Sequence, residues 1–438
     1  MSFFDADDPP APELLDDCVH CGFCLPTCPT YLLWGEEMDS PRGRIQLMNL
    51  VSQEQAPLDS TVGGHIDACL GCMACVTACP SGVQYDRLLE ATRPQVERNV
   101  PRTRRDRAFR GLIFALFPHP ARLRFAAVGA VAYQRLRLAK LLRTSGLLAR
   151  LPARLRSLEA LMPPVRIRDL VRRNPTAVRP NGEPRRRVAL LTGCVQRVFF
   201  GDVNDATVRV LAAEGCETLT PAQGCCGALS LHAGRKAEAL EFARGLIDSF
   251  GKVEADTIVV NVAGCGSTLK EYGALLADDP AYAGRATEFS AKVRDVTELL
   301  AELEPRAPRH PLPGRVAYHD ACHLAHAQRV RAQPRTVLRQ IPDLQVVDIP
   351  EADICCGSAG IYNLVQPEAA EDLGRRKAGN IASVRPDAIT TANPGCLLQI
   401  RRYQSPDDDA IPLFHPVQLI DASIRGQRVF RVAEQDDK

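Results

Sequence analysis

The chain has 438 residues, too many for one ordinary core, and at 45% hydrophobic and 24% charged it has a globular composition. Aromatic residues make up only 5% and the net charge is +2, which argues against a nucleic-acid partner. Seventeen cysteines are the outlier; in a long chain that opens MSFFDADDPP, without an apolar export core, they point to metal ligation in a reducing cytoplasm.

Residues 1–100 hold two cysteine runs. The first is Cys18-Val-His-Cys21-Gly-Phe-Cys24-Leu-Pro-Thr-Cys28-Pro29. The second is Cys69-Leu-Gly-Cys72-Met-Ala-Cys75-Val-Thr-Ala-Cys79-Pro80. Both fit C-x2-C-x2-C-x3-C-P, the spacing of two-cluster bacterial ferredoxins. Three thiolates spaced in this way wrap one face of a [4Fe-4S] cluster. The fourth, redirected by its proline, reaches the other cluster. Cys18, Cys21, Cys24 and Cys79 are thereby assigned to cluster 1, and Cys28, Cys69, Cys72 and Cys75 to cluster 2. Structural zinc would need four ligands, not eight in two superimposable runs. The long gap between the runs predicts a helix over Ile45–Gln53, preceded by Ser40-Pro-Arg-Gly-Arg44. A second helix is predicted over Tyr85–Glu97. Such an insertion suits a helical ferredoxin-like domain, the type found in iron–sulfur subunits of quinone-linked dehydrogenases.

Residues 101–180 are cysteine-free and carry 19 Lys and Arg against 3 acidic side chains. Leu112–Phe117, Leu123–Val131 and Leu136–Leu148 mix apolar residues with arginine at roughly helical spacing. No run reaches the ~18–20 apolar residues of a membrane helix. A basic helical connector of this kind can lie on an anionic membrane surface, dock an acidic partner, or bridge domains as a solvated connector with one packed face.

Residues 181–304 and 312–438 read as two copies of one module. Arg187-Val-Ala-Leu-Leu-Thr-Gly-Cys194 aligns with Arg315-Val-Ala-Tyr-His-Asp-Ala-Cys322, Cys225-Cys-Gly227 with Cys355-Cys-Gly357, and Cys265 with Cys396. Strands are predicted at Val188–Leu191, Ile258–Val262, Val316–Tyr318 and Ala388–Thr391, and helices at Lys236–Phe250 and Glu368–Val384. The alternation predicts an α/β layered module with its ligand site at the carboxyl ends of the strands. Cys194, Cys225, Cys226 and Cys265, then Cys322, Cys355, Cys356 and Cys396, could hold an iron–sulfur cluster or another metal, form a redox thiol pair, or simply be buried. Cys216 has no counterpart and reads as a core residue. His319, Asp320, His323 and His326 surround Cys322. The first copy lacks matching histidines, which favours a helix-capping or surface role for them over catalysis.

No G-x-G-x-x-G loop follows a strand, and there is no Walker A loop or Gly-x-Ser-x-Gly elbow. Neither flavin nor nicotinamide is expected on this chain, and no catalytic residue is assigned. The overall expectation is an α+β multidomain protein: a ferredoxin-like domain with two [4Fe-4S] clusters, then two α/β cysteine-rich modules. Its task would be electron transfer between partners.

Cys18-Val-His-Cys-Gly-Phe-Cys24, Thr27-Cys-Pro-Thr-Tyr31, Ser40-Pro-Arg-Gly-Arg-Ile45 and Cys79-Pro-Ser-Gly-Val83 carry a family resemblance. Gly264-Cys-Gly266, Lys270-Glu-Tyr-Gly273 and Cys355-Cys-Gly-Ser-Ala-Gly360 extend it. Together they resemble the iron–sulfur subunit of bacterial glycolate oxidase (glycolate dehydrogenase), over nearly the full length and least in the basic stretch. The resemblance implies FAD-binding partner subunits, one of which oxidises glycolate to glyoxylate. This subunit would pass electrons on to a quinone or another membrane acceptor, as a peripheral protein on the inner face of the cytoplasmic membrane. The Cys-Cys-Gly modules also resemble those of heterodisulfide reductases. The same relay role for lactate or glycerol 3-phosphate, or thiol chemistry of the heterodisulfide reductase kind, are the alternatives.

Overall fold

The computed structural model describes residues 3–136, 138–165, 167–180, 182–404 and 410–430. Of the expected segments, residues 1–2, 137, 166, 181, 405–409 and 431–438 lie outside the described residues.

The N-terminal region is helical. Helix α1 is Pro41–Ser52 and starts ahead of the predicted Ile45. Ser40 sets its start: the hydroxyl accepts the Gly43 N–H at 3.0 Å, and Pro41 occupies the first turn, where its missing donor costs nothing. Helix α2, Ser60–Ala68, is capped by Asp59. Helix α3, Tyr85–Asn99, extends two residues past its predicted end. Ile45, Met48 and Val51 of α1, Val62 and Ile66 of α2, and Leu88, Leu89 and Val96 of α3 bury one another in a single core.

The basic segment folds into α4 (Arg104–Leu116), α5 (Pro120–Arg135) and α6 (Ala153–Ala160), with shorter turns between them. It has a packed face. Ile113 and Phe114 of α4 meet Leu161, Ile361 and Leu364. Leu123, Ala127 and Val131 of α5 meet Val165 and Val198. The opposite face leaves Phe125 84% exposed and Leu141 61% exposed.

Two sheets follow. The first contains β1 (Ala177–Val178), β2 (Arg186–Leu191), β3 (Cys216–Leu219), β4 (Thr257–Val260) and β5 (Val293–Asp295), in the order β1-β3-β2-β4-β5. The second contains β6 (Gly314–Tyr318), β7 (Leu344–Asp348), β8 (Ala388–Thr390) and β9 (Leu413–Phe414), in the order β7-β6-β8-β9. Apart from the antiparallel edge strand β1, every pairing is parallel, and the order β3-β2-β4-β5 repeats as β7-β6-β8-β9. The duplication read from cysteine spacing is therefore a duplication of topology. The central strands β2, β4, β6 and β8 are covered on both faces, which explains their continuous apolar runs. Helices α7 (Gly201–Ala213), α8 (Lys236–Phe250) and α9 (Ala263–Lys270) belong to the first module. Helices α10 (Pro367–Ser383), α11 (Pro394–Tyr403) and α12 (Pro416–Ile424) belong to the second.

The glycine of each Cys-Cys-Gly does the same job twice. Gly227 and Gly357 have φ of 78° and 87°, in the left-handed region. A Cβ on either would come within 2.9 Å of a helix carbonyl, Ala239 O on α8 or Ala370 O on α10. Only a glycine lets the paired cysteines turn back against the helix at this distance.

The three regions are tied together. Arg93 of α3 donates to His232 O of the first module at 2.7 Å and to Cys69 O at 2.6 Å. Arg209 on α7 forms a two-pronged pair with Asp421 on α12, at 2.9 and 2.7 Å. Beside the first joint, Glu90 of α3 faces Glu271, just past α9. Burial, with Asp86 nearby, pushes Glu90 up to about 7. Burial, then Glu90 and Asp86, pushes Glu271 up to about 8. Between the unfolded carboxyl value, 4.5, and these values the folded chain holds protons that the unfolded chain has released. Stability is therefore lost as pH rises through this window. Glu271→Gln should recover part of that loss, of order 2 kcal/mol at pH 8 and nothing at pH 4. Urea unfolding midpoints from pH 4 to 8 measure it; a constant difference between the proteins across that range would disprove the assignment.

Candidate functional site

The cysteines of the N-terminal runs lie on the segments between helices, except Cys75, which is in the short helix Ala74–Ala78. Cys28 precedes the short helix Pro29–Trp34, and Cys69 ends α2. Cys18, Cys21, Cys24 and Cys79 line one pocket together with Cys75. Cys28 is buried and lies within electrostatic reach of Cys72 and Cys75, which are close to Cys69 in turn. The fourth cysteine of each run thus stands with the other run. Among the described residues none of the eight is in a disulfide.

Their electrostatics suit a cationic occupant. Burial first, then neighbouring thiols, pushes Cys72 and Cys75 far above the ordinary cysteine value. Such a set cannot hold several thiolates on its own, but an iron–sulfur core supplies the compensating positive charge. Cys69 differs. Burial opposes its ionisation, but Arg44 and Arg93 outweigh burial and lower it, helped by Tyr85 and the Gly71 N–H, 3.4 Å from Sγ. Arg44 is fully buried. Its guanidinium donates to Asp39 O at 2.6 Å, Asp39 Oδ1 at 3.0 Å, Thr30 Oγ1 at 3.1 Å and His65 O at 2.7 Å. The Ser40-Pro-Arg-Gly-Arg44 segment thus starts α1 and delivers a cation to the cysteines. Spacing alone does not reveal this role, because arginine in a helix is usually a surface residue.

In the modules, Cys194 and Cys322 sit just past β2 and β6, and Cys265 and Cys396 lie in the first turns of α9 and α11. The Cys225 and Cys194 sulfurs are 3.7 Å apart, and those of Cys322 and Cys355 are 3.9 Å apart. Cys226 faces Cys265, and Cys356 faces Cys396. Each module therefore gathers its four thiols at one place, and these sets also have the chemistry of a metal cage. Cys216 is fully buried within β3, among core side chains. One cation accompanies each set: Arg197, half-buried, in the first module and Lys377, buried, in the second. Arg197 donates to Gly193 O, Gln223 O and Gly224 O at 2.6, 2.9 and 3.0 Å. Lys377 Nζ donates to Glu351 O at 2.6 Å.

The surface or capping role expected for the histidines does not hold. His319 and His326 are buried. His323 reaches Gly71 O through Nε2 at 3.0 Å, and His326 Nδ1 meets Thr77 Oγ1 at 2.7 Å. Their short π-helical turn, His323–Ala327, clamps the loop carrying Cys72 and Cys75 onto the second module. Asp320 is held by Arg335 at 2.7 and 2.9 Å. Leu70, Cys72 and Ala74 pack directly on Cys355 and Tyr362, with Cys322 alongside. Both module sets open on one cavity of about 380 Å³, whose other wall is apolar and includes Leu116, Phe117, Leu123 and Ala126 of the connector.

Comparison with known proteins agrees with this layout. The 4Fe-4S dicluster domain model matches residues 14–83. The cysteine-rich domain model matches residues 188–270 and 316–401. The model "Glycolate oxidase iron-sulfur subunit, linker region" matches residues 105–162. The chain is 39% identical over 394 residues to the probable glycolate oxidase iron-sulfur subunit of Bacillus subtilis, covering 89% of this chain and 88% of that one. It belongs to the family of glycolate oxidase iron–sulfur subunits. Within that family, the Escherichia coli glycolate oxidase iron-sulfur subunit is 37% identical over 393 residues, covering 88% of this chain and 89% of that one. Lactate utilization protein A of Geobacillus kaustophilus is 29% identical over 238 residues, covering 54% of this chain and 99% of that one. As a member of this iron–sulfur subunit family, the chain is an electron-transfer protein whose N-terminal region carries two [4Fe-4S] clusters.

Arg44→Met should strip Asp39 of its buried guanidinium, leaving its carboxylate the His65 ring at 3.0 Å, and cost about 3 kcal/mol, read as a lower denaturant midpoint. It should also shift the midpoint potential of the adjacent cluster to more negative values, because a nearby cation favours the reduced form. An unchanged potential in an EPR-monitored titration would refute the electrostatic role.

Proposed function

We propose that this chain is the electron-carrying subunit of a glycolate dehydrogenase complex, taking electrons from an FAD subunit and delivering them to a membrane quinone. One observation carries the glycolate reading. The glycolate oxidase relatives align along nearly the whole chain, and the connector matches the linker region of that subunit. The lactate utilization relative aligns with only about half of it.

In this reading Cys18, Cys21, Cys24 and Cys79 hold one cluster, and Cys28, Cys69, Cys72 and Cys75 the other. Cys194, Cys225, Cys226 and Cys265, and Cys322, Cys355, Cys356 and Cys396, hold further iron. Each cluster, when bound, takes up one electron and gives it up again. The residues around them exclude water and supply compensating charge through Arg44, Arg197 and Lys377. Packing of Cys72 against Cys355 keeps the ferredoxin-like region and second module close enough for transfer, through a joint of buried, mostly apolar side chains. The apolar cavity bordered by the connector and both module sets suits an apolar ring acceptor.

The connector supports a peripheral membrane position. Among the described residues no helix is long and apolar enough to cross a membrane. Phe125, Leu136 and Leu141 are nonetheless exposed, beside Arg122 and Arg135. Apolar side chains set among arginines fit the surface of an anionic bilayer.

The test uses anaerobically purified full-length protein. The N-terminal region should contribute about eight irons and eight acid-labile sulfides, with further iron from the modules. Added glycolate should elicit the reduced-cluster EPR signal only when the flavoprotein subunits are present. Reduction by lactate and not by glycolate would reject the proposal. Separately, Phe125→Asp should weaken binding to phosphatidylglycerol vesicles about tenfold or more, the worth of one buried phenyl ring. Equal flotation of both proteins with the vesicles would exclude the membrane face.

A further inference from the structure

The two modules are copies, but one position beside their cysteines differs in kind. Leu191 ends β2 in the first module. In the second, His319 stands at the equivalent place, just past β6. Leu191 is an ordinary core side chain, fully buried. His319 is 1% exposed, and neither of its ring nitrogens has a hydrogen-bond partner. A polar ring buried without partners is costly, so a fold that keeps one there must recover the cost elsewhere.

The geometry shows where. A ring nitrogen of His319 and the sulfurs of Cys356 and Cys396 all lie within 4.8 Å of one another. The backbone holds the ring in place, since His319 N–H donates to Thr390 O at 2.9 Å across the sheet. An imidazole with no hydrogen bond at either nitrogen has a lone pair to offer a metal. Two thiols and an unpartnered imidazole nitrogen at this spacing form a donor set of mixed sulfur and nitrogen.

We propose that His319 is a nitrogen ligand of the iron centre held by Cys322, Cys355, Cys356 and Cys396, which makes the second module a mixed sulfur–nitrogen site and the first an all-sulfur one. The proposal rests on the reading that the second cysteine set holds iron. A neutral nitrogen ligand leaves the centre less negative than a further thiolate would, and histidine ligation raises the potential of iron–sulfur centres. The two modules then differ in ligand set, and the mixed site is the one lying beside Cys72.

The experiment uses the full chain, purified anaerobically and labelled with 15N-histidine. Iron, zinc and sulfide are counted first. Pulsed EPR across a redox titration then reads nitrogen coupling. The expected result is more than about eight irons and a 15N coupling that disappears in His319→Leu, with the signals of the N-terminal clusters unchanged. His319→Leu reproduces the residue that the first module already tolerates, which guards against misfolding. His319→Cys should keep the iron, lose the nitrogen coupling and shift the potential of that centre downward. If Cys356→Ser removes iron but the wild type shows no nitrogen coupling, or the coupling survives in His319→Leu, the ligand assignment is overturned while the iron reading stands. If the iron count stops at about eight, or zinc occupies the second set, the iron reading fails and the ligand assignment falls with it.

Discussion

The structure depends on an electrostatic constraint: thiols crowded together out of water cannot all ionise without positive charge among them. Most thiols in these sets are raised by burial and by one another. The fold answers with cations, Arg44 and Lys377 buried and Arg93 and Arg197 half-buried. Arg44 and Arg93 approach Cys69, Arg197 the first module's set, and Lys377 the second's. In the N-terminal region the two clusters supply the rest of the charge, so burial there is a property of the site and not of a core. Cys216 makes the contrast. It is equally buried, yet it sits within a strand among aliphatic side chains and has no other thiol within reach.

The same constraint shapes how the regions meet. Electron transfer needs short separations between sites, and the joints bring the cysteine sets together through buried side chains. Cys72 packs on Cys355, with His323 and His326 pinning the loop on either side. The connector closes the cavity from the other direction with apolar side chains. Its arginines are partly engaged within the molecule: Arg102 pairs with Asp67 and Glu97, and Arg154 with Asp106. The segment is thus neither a free basic tail nor an inert spacer. One face is core and the other is exposed.

Duplication produced two sites with one topology, and divergence made them different. Gly227 and Gly357 perform identical turns against α8 and α10. Leu191 and His319 occupy one position with opposite chemistry. The second module lies against the cysteine loop of the ferredoxin-like region, and it is the copy that gained histidines. In the first module, the corresponding role of holding a neighbouring region falls to His232 O and Arg93.

What the sequence determined by itself was whatever is encoded locally or by repetition. Cysteine spacing carries the cluster motif because the ligands lie within a few residues of one another. The repeat exposed the two modules because the offsets between the copies drift by only three residues, from 128 to 131, and continuous apolar runs marked the central strands. The tertiary structure decided everything that depends on distant residues meeting. It alone shows that both module sets share one cavity, that Arg44 reaches Cys69 from another helix, and that His319 is buried without a partner. A histidine after a strand reads the same whether it faces water or sulfur; only packing desolvates the ring, and that desolvation makes its lone pair matter.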